Sequence, residues 1–288
     1  MTDYQSLEVT IENKIAHIRL NQPDTYNTFT PALWVELPKA VKTISDEAQA
    51  RVIVLSSTGK HFCAGMDLAV FTSGVIDVDF ELARKHENLR RLVLQLQQCF
   101  NELEESRVPV LVATQGGCIG AGLDMICAAD SRYCTKDAFF SIEESKLGMT
   151  ADVGTLQRLP KLIPQGIVRE LAFTGRRFMA DEALEAGLVN KVFDTQEAML
   201  DYVMGVAQQI ATNSPMAITG CKAMLNYSRD HSVADSLSYM ATWQSGMYQP
   251  QNDMFESFAA KAEKRAPNFQ EIPPVVELET LFTSSKEK

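Results

Sequence analysis

The sequence predicts an α/β fold, because apolar strands and amphipathic helices alternate along most of its length. Two continuous apolar runs, RVIVLSS at 51–57 and VPVLVAT at 108–114, are typical of buried strands. Between them, residues 80–106 carry leucines at the spacing of a long amphipathic helix. Strands that are separated by helices in this way predict a sheet with crossover connections.

The remaining elements follow from local patterns. Residues 7–20 alternate around ENK, which predicts a β-hairpin, and Thr30 with Pro31 opens a helix that runs to about Ser45. SRYCT and AFFSI predict two short strands before a helix at about 153–163, and the pattern beyond about 195 is helical as far as the tail. The predicted divisions are a core over 1–194, a separate helical region over 195–269, and a tail over 270–288 that is extended or mobile unless a neighbouring subunit holds it.

Composition narrows the class of partner. The net charge is −10 with a pI of about 5.0, so we expect neither nucleic acid nor a membrane surface as a partner. No apolar run approaches the roughly 18 residues of a membrane span. The N-terminal segment lacks the features of a signal or transit peptide, and the six cysteines are scattered without a zinc or disulfide pattern. We therefore expect a cytoplasmic protein with buried thiols and no metal.

Two glycine-bearing loops follow the two apolar strands. They are HFCAGMDL at 61–68 and QGGCIGAGLDM at 115–125. Ligands in open α/β sheets bind beyond the carboxyl ends of the strands. The second loop matches neither the dinucleotide fingerprint nor the P-loop. Backbone N–H groups from two such loops can instead converge on one carbonyl oxygen and form an oxyanion hole.

Two acids flank an apolar bend in SIEESKLGMTADVGTLQRLP, at 141–160. Glu144 and Asp152 stand eight positions apart around Leu147, Gly148 and Met149. In one interpretation Asp152 caps the helix that follows. In the other, both acids face a pocket and transfer protons, because desolvation raises the basicity of a carboxylate.

The two loops, together with FFSIEESKLGMTADVGTLQRLP and ELAFTGRRFMADEALEAGLVNKVF, resemble the crotonase or enoyl-CoA hydratase/isomerase superfamily over about residues 5–269. The resemblance implies a crotonase-type spiral of ββα repeats with a C-terminal helical region that forms trimers, commonly paired into hexamers. It also implies an acyl-CoA thioester as substrate, with coenzyme A as part of that substrate and no separate cofactor.

The resemblance also assigns the thioester oxygen to the backbone N–H groups of Met66 and Ala121. Alanine at 121 departs from the usual glycine, and its amide serves only if its backbone angles suit a residue with a Cβ. The neighbouring positions that we expect to bind substrate are Ala64, Gly65 and Gly120.

The acids indicate which reaction the chain performs. Asp124 and Glu144 match the glutamate pair of the hydratases, but aspartate at 124 retracts the carboxylate and disfavours hydration. Asp124, Glu144 and Asp152 together, with RYCTKDAFF, YSRDHSV and YMATW, resemble the branch of the family that converts 3,5-dienoyl-CoA into 2,4-dienoyl-CoA. The resemblance implies that Glu144 serves C2, Asp152 serves C6 and Asp124 supports Glu144. The alternatives are enoyl-CoA hydration, a Δ3-Δ2 shift, or a crotonase-fold protein that works by binding.

Several basic side chains have two interpretations each. His61 either contacts coenzyme A or is a solvated loop residue. The charges on the long helix either bind the nucleotide or form a solvated face; they are Arg84, Lys85, Arg90 and Arg91. Lys222 is a candidate for reaching phosphate from a neighbouring subunit.

Overall fold

The computed structural model describes residues 4–67, 69–72, 81–247 and 250–276. Within these residues the strands form two sheets, and the predicted α/β class is confirmed. The larger sheet has the order β1-β2-β3-β4-β6-β9 and is parallel except for β1, which pairs with β2 as the predicted hairpin. The smaller sheet has the order β5-β7-β8. The strands are β1 Leu7–Glu12, β2 Ile15–Leu20, β3 Val52–Ser57, β4 Val110–Thr114, β5 Gly117–Ile119, β6 Ser131–Thr135, β7 Phe139–Ser141, β8 Phe178–Met179 and β9 Lys191–Phe193.

The helices include the predicted ones, one of them interrupted, and three that were not predicted, at 69–72, 165–174 and 180–186. They are α1 Pro31–Asp46, α2 Ala69–Thr72, α3 Leu82–Glu105, α4 Ala121–Cys127, α5 Thr155–Arg158, α6 Gln165–Thr174, α7 Ala180–Ala186, α8 Gln196–Ala211, α9 Pro215–Asp230, α10 Val233–Met247 and α11 Phe255–Glu263. The Thr30 side chain accepts the N–H of Leu33, as expected of the N-cap of α1. The helix predicted at 153–163 is only α5 followed by a 3₁₀ turn, because Pro160 cannot donate a backbone hydrogen bond.

Both faces of the larger sheet are buried. In β3, Ile53 and Leu55 face the core that includes side chains of α1 and α3, whereas Val52 and Val54 face α8. Strands covered on both faces need apolar residues at every position. This explains why the apolar runs at 51–57 and 108–114 were recognisable in the sequence.

Lys222 on α9 is buried inside the chain, with 6% of its surface exposed. Its Nζ donates to the carbonyl oxygens of Leu103 and Val108, at 2.9 and 3.1 Å, and to Asp130 Oδ2 at 2.8 Å. A lysine ammonium has three donors, and all three are used here. This arrangement argues against the phosphate contact that we considered for Lys222.

We expect Lys222→Met to lower the free energy of unfolding by about 3 kcal/mol, because it removes the cation that pairs with Asp130 and a buried donor to the carbonyls of Leu103 and Val108. Urea denaturation followed by circular dichroism measures the change. The matched control is Lys39→Met, at an exposed position of α1, which should change stability by less than about 0.5 kcal/mol. Equal midpoints for the two variants would show that the buried contacts contribute nothing.

The chain itself holds the start of the C-terminal tail. Glu271 accepts from Arg51 Nε at 2.8 Å, and the N–H of Val275 donates to the carbonyl of Asp46 at 2.7 Å. Ile272 is buried in the core. Contacts within the chain thus hold this described part of the tail, and its predicted extended or mobile character stays a prediction. The rest of the predicted tail, 277–288, lies outside the described residues.

The C-terminal helices differ in how they are covered. Helix α8 packs on the larger sheet, whereas no residue of α10 is buried, and Val233 and Leu237 are 77% and 66% exposed. The division of the chain at 194 and 269 stays a prediction. Among the described helices, none combines the length and the apolar character needed to cross a bilayer.

Candidate active site

The two glycine-bearing loops lie side by side. The N–H of Cys63 donates to the carbonyl of Gly117 at 3.1 Å, and the N–H of Ile119 donates to the carbonyl of Cys63 at 3.0 Å. These bonds join the first loop to β5, a strand that the sequence did not predict because it has only three residues. The sheet thus brings residues 63–66 next to residues 119–121.

Glycines occupy the two points of closest approach. Gly65 and Gly120 have φ angles of +93° and +52°, which side chains rarely adopt. A Cβ on Gly65 would lie 3.2 Å from the carbonyl oxygen of Ile119. A Cβ on Gly120 would lie 3.1 Å from Glu144 Oε1, so the glutamate carboxylate packs directly over the second loop.

The two amides predicted to bind the thioester oxygen flank this contact. The neighbours of Met66 in the chain are both hydrogen-bonded to Phe29. The N–H of Phe29 donates to the carbonyl of Gly65, and the N–H of Asp67 donates to the carbonyl of Phe29. The N–H of Met66 itself has no acceptor among the described residues. Ala121 is the first residue of α4, where N–H groups lack intrahelical acceptors, and its φ is not positive. The condition set for alanine at 121 is therefore met.

Asp124 lies on α4, one turn beyond Gly120, and is completely buried. Its Oδ1 accepts the backbone N–H of Thr155 at 2.5 Å. Its Oδ2 is buried and has no partner among the described residues. Burial raises the pKa of Asp124 to about 7, with a further increase from nearby Glu144, although the Thr155 bond acts in the opposite direction.

Glu144 begins a 3₁₀ turn, Glu144–Leu147, and is half-buried. Its Oε2 is buried without a partner in the described part of the chain. Burial raises the pKa of Glu144, and the charge of Asp152 raises it further. Both effects favour a carboxylate that accepts a proton readily.

Asp152 does not cap a helix, so the first interpretation of this residue is wrong. The N-cap of α5 is Gly154, and the carboxylate that accepts the first N–H of α5 belongs to Asp124. The backbone carbonyl of Asp152 is held by Gln97 Nε2 at 2.7 Å. The residue is exposed, and partial burial of its carboxyl raises its pKa.

The three acids share one electrostatic environment. Asp152 raises the pKa of both other carboxyls, and Glu144 raises that of Asp124. Like charges this close disfavour one another, so each ionised carboxyl makes ionisation of its neighbours less favourable. A site with one basic and one protonated carboxyl can remove a proton at one carbon and deliver one at another.

Sequence reasoning missed the residues that hold these acids in place. Thr155 and Gln97 act through a backbone amide and a side-chain amide at positions with no recognisable motif. His61 Nδ1 accepts the N–H of Gly117 at 2.9 Å, so this histidine orders the second loop instead of standing free in solvent.

The basic residues of α3 make ion pairs within that helix. Arg84 pairs with Glu81, and Arg90 and Arg91 pair with Glu87. All three arginines are exposed, which agrees with the solvated-face interpretation.

The enoyl-CoA hydratase/isomerase family profile matches residues 10–272. The chain belongs to this family. A solved member, an enoyl-CoA hydratase from Bacillus anthracis, is 29% identical and superposes with a TM-score of 0.82 over 92% of this chain and 99% of that one. The expected crotonase fold is thereby confirmed.

Two curated family members show which branch of the family the chain resembles. The human mitochondrial Δ3,5-Δ2,4-dienoyl-CoA isomerase is 44% identical over 91% of this chain and 80% of the relative. The Arabidopsis thaliana peroxisomal enzyme of the same name is 40% identical over 94% of this chain and 99% of the relative. The predicted resemblance to this branch is confirmed.

The expected cytoplasmic location is wrong, because these relatives carry mitochondrial and peroxisomal names. That expectation depended on the absence of a recognisable leader and on scattered cysteines, and neither observation specifies a compartment.

Proposed function

We propose that this protein is a Δ3,5-Δ2,4-dienoyl-CoA isomerase, which moves a conjugated diene of an acyl-CoA thioester from the 3,5 to the 2,4 position. The observation that carries the proposal is the grouping of Asp124, Glu144 and Asp152 around the two glycine loops. The names of relatives at 40–45% identity over most of the chain support the same activity.

Binding begins at the thioester. In the proposed complex its carbonyl oxygen accepts hydrogen bonds from the N–H groups of Met66 and Ala121, and the substrate passes along Ala64, Gly65 and Gly120. As negative charge develops on this oxygen, the two fixed donors stabilise it without reorganising. The positive φ of both glycines supports this assignment, since it lets the loops approach closely without side chains.

Two proton transfers complete the reaction. Glu144, as a charged carboxylate, removes a proton from C2, and the electron pair spreads through the diene to the thioester oxygen. Asp152, as a neutral carboxylic acid, delivers a proton to C6 as the double bonds move to positions 2 and 4. The raised pKa of Asp152 supports its role as an acid. The proton gained by Glu144 and the proton lost by Asp152 then exchange with solvent.

The proposed chemistry is redox-neutral, and its protons balance between two carboxyls. It therefore requires neither a metal nor a redox cofactor, and coenzyme A enters only as part of the substrate. Asp124 takes a supporting role, because its carboxylate is buried and bonded to Thr155.

The C-terminal helices supply a surface for self-association, and we propose a homo-trimer that can pair into a hexamer. Apolar side chains of α9, α10 and α11 are unusually exposed in the single chain; they are Leu225, Val233, Leu237, Phe255 and Phe258. Exposed apolar side chains support this proposal, because they are enriched where one protein contacts another.

A spectrophotometric assay with two substrates tests the proposed function. With 3,5-octadienoyl-CoA, the purified protein should produce the 2,4-dienoyl chromophore rapidly, because both acids are in place. With 2-octenoyl-CoA, it should consume the enoyl thioester slowly, because aspartate at 124 is one methylene shorter than the glutamate of the hydratases and misplaces the water that would be added. Rapid loss of the enoyl absorbance without a diene shift would instead identify a hydratase.

A further inference from the structure

Two carboxylate oxygens at the centre of the site lack any donor. Asp124 Oδ2 and Glu144 Oε2 are both buried, and neither has a hydrogen-bond partner among the described residues. Both residues lie beside Gly120: its carbonyl accepts the backbone N–H of Asp124 at 3.0 Å, and Glu144 Oε1 lies 3.1 Å from the position that a Cβ on Gly120 would take. The charge of Glu144 also acts on the Asp124 carboxyl and raises its pKa. A buried charged oxygen without a donor is costly, so two of them in one site require an explanation.

The groups that face Asp124 do not supply the missing donor. The backbone N–H of Thr155 is bonded to Oδ1, and the Thr155 hydroxyl lies close enough to lower the pKa of Asp124 but makes no hydrogen bond to Oδ2. Glu144 and Asp152 are themselves acids. The thiols of Cys118 and Cys127 lie near enough to interact with the Asp124 charge, and burial holds both of them in the neutral form. Arg158, the nearby cation, donates to Glu104 and Asn101.

A single proton on Asp124 resolves both deficits. We infer that Asp124 is a neutral carboxylic acid in the active form of the site, and that its Oδ2–H donates to Glu144 Oε2 directly or through one water. Asp124 is then a positioning residue: Oδ1 is fixed by Thr155, and Oδ2–H orients the carboxylate that takes the C2 proton. This inference deepens the proposed function and rests on it for the role of Glu144.

The arrangement has a chemical consequence for the base. A charged Asp124 would repel a charged Glu144, whereas a neutral Asp124 stabilises the Glu144 carboxylate by donating a hydrogen bond to it. Glu144 can therefore stay ionised in a desolvated site and point one oxygen at the substrate. The proton on Asp124 Oδ2 thus allows Glu144 to act as a base although its carboxylate is partly buried.

Asparagine and alanine at position 124 separate the two possible roles. Asp124→Asn keeps an oxygen for Thr155 and a donor for Glu144, so kcat should remain within about fivefold of wild type. Asp124→Ala removes both and should lower kcat by about 100-fold, the scale of a misplaced catalytic group. An Asn variant as inactive as the Ala variant would overturn the inference. Thermal unfolding of both variants checks that each is folded.

The pH dependence of kcat gives a readout that a merely structural role would not change. Glu144 must be charged to act as a base, so kcat rises with pH through its pKa. Asn replaces a neutral acid without changing charge, so this acid limb should not move in Asp124→Asn. If this rise in kcat moved to lower pH in Asp124→Asn, the wild-type Asp124 would carry a negative charge that raises the pKa of Glu144. That result would contradict the inference.

A measurement without substrate separates this inference from the proposed activity. In protein labelled with carbon-13 at aspartate Cγ, the resonance that disappears in Asp124→Asn identifies Asp124. This resonance should show that the carboxyl stays protonated at pH values well above the usual pKa of aspartate. It should titrate near pH 7. A resonance that is already ionised at pH 5 would overturn the inference, even if the isomerase activity is present. If the activity is absent but the carboxyl is protonated, the proposed function fails and the inferred proton stands.

Discussion

Asp152→Asn is expected to lower kcat for the diene shift by about 10²- to 10⁴-fold, the range contributed by a positioned general acid. Asparagine has nearly the same shape, but it has no acidic proton to deliver to C6. Because the carbonyl of Asp152 is held by Gln97 through the backbone, the loop itself should keep its position. The measurement is the rate of appearance of the 2,4-dienoyl chromophore with 3,5-octadienoyl-CoA at saturating concentration.

The matched control is Asp201→Asn, which removes a carboxylate from an exposed position on α8. It should leave kcat unchanged, since α8 packs on the far face of the larger sheet. If Asp152→Asn retained wild-type activity, Asp152 would not be the acid at C6. A mechanism in which Glu144 is the only acid or base, as in a Δ3-Δ2 shift, would then describe the enzyme better.

Gly120→Ala is expected to lower kcat by about 10²-fold or more, a loss comparable to that of one oxyanion-hole donor. Position 120 has a φ of +52° and immediately precedes Ala121, so a side chain there strains the backbone that aims this amide. The new Cβ would also lie 3.1 Å from Glu144 Oε1 and displace the proposed base. Steady-state kinetics with 3,5-octadienoyl-CoA measures the loss.

Gly205→Ala is the control for a glycine-to-alanine change. Gly205 lies in α8, and a Cβ there meets no atom within 4 Å. This variant should keep full activity and gain up to about 1 kcal/mol of stability, the helix preference of alanine over glycine. A Gly120→Ala enzyme with wild-type kcat would show that the second loop does not hold the reacting oxygen.

Much of the fold was predictable because burial leaves a strong mark on sequence. The runs that became β3 and β4 are apolar throughout, since both faces of those strands are covered. Thr30 and Pro31 predicted the start of α1, because threonine is favoured at the N-cap and proline at the first position of a helix. The glycine loops and the acids were found through their order and spacing.

Other features depend on contacts that no local pattern encodes. Strands β5, β8 and β9 have three residues or fewer, which is too short for a periodicity to emerge. Because Asp152 precedes a helical segment, one interpretation made it the helix cap. The carboxylate that accepts the first N–H of α5 instead belongs to Asp124, 31 positions before Thr155. The buried Lys222 looked like a surface cation until its three acceptors, from distant parts of the chain, were seen.

The central claim is that one carboxyl removes the C2 proton and a different one supplies the C6 proton. Converting 3,5-octadienoyl-CoA in heavy water tests it most directly, with the position of deuterium in the product read by NMR. Two separate acids predict deuterium at C6, because Asp152 exchanges with solvent before it donates. Product with only the original hydrogen at C6 would mean that a single group carries the proton from C2 to C6, and would contradict the assignment of Glu144 and Asp152.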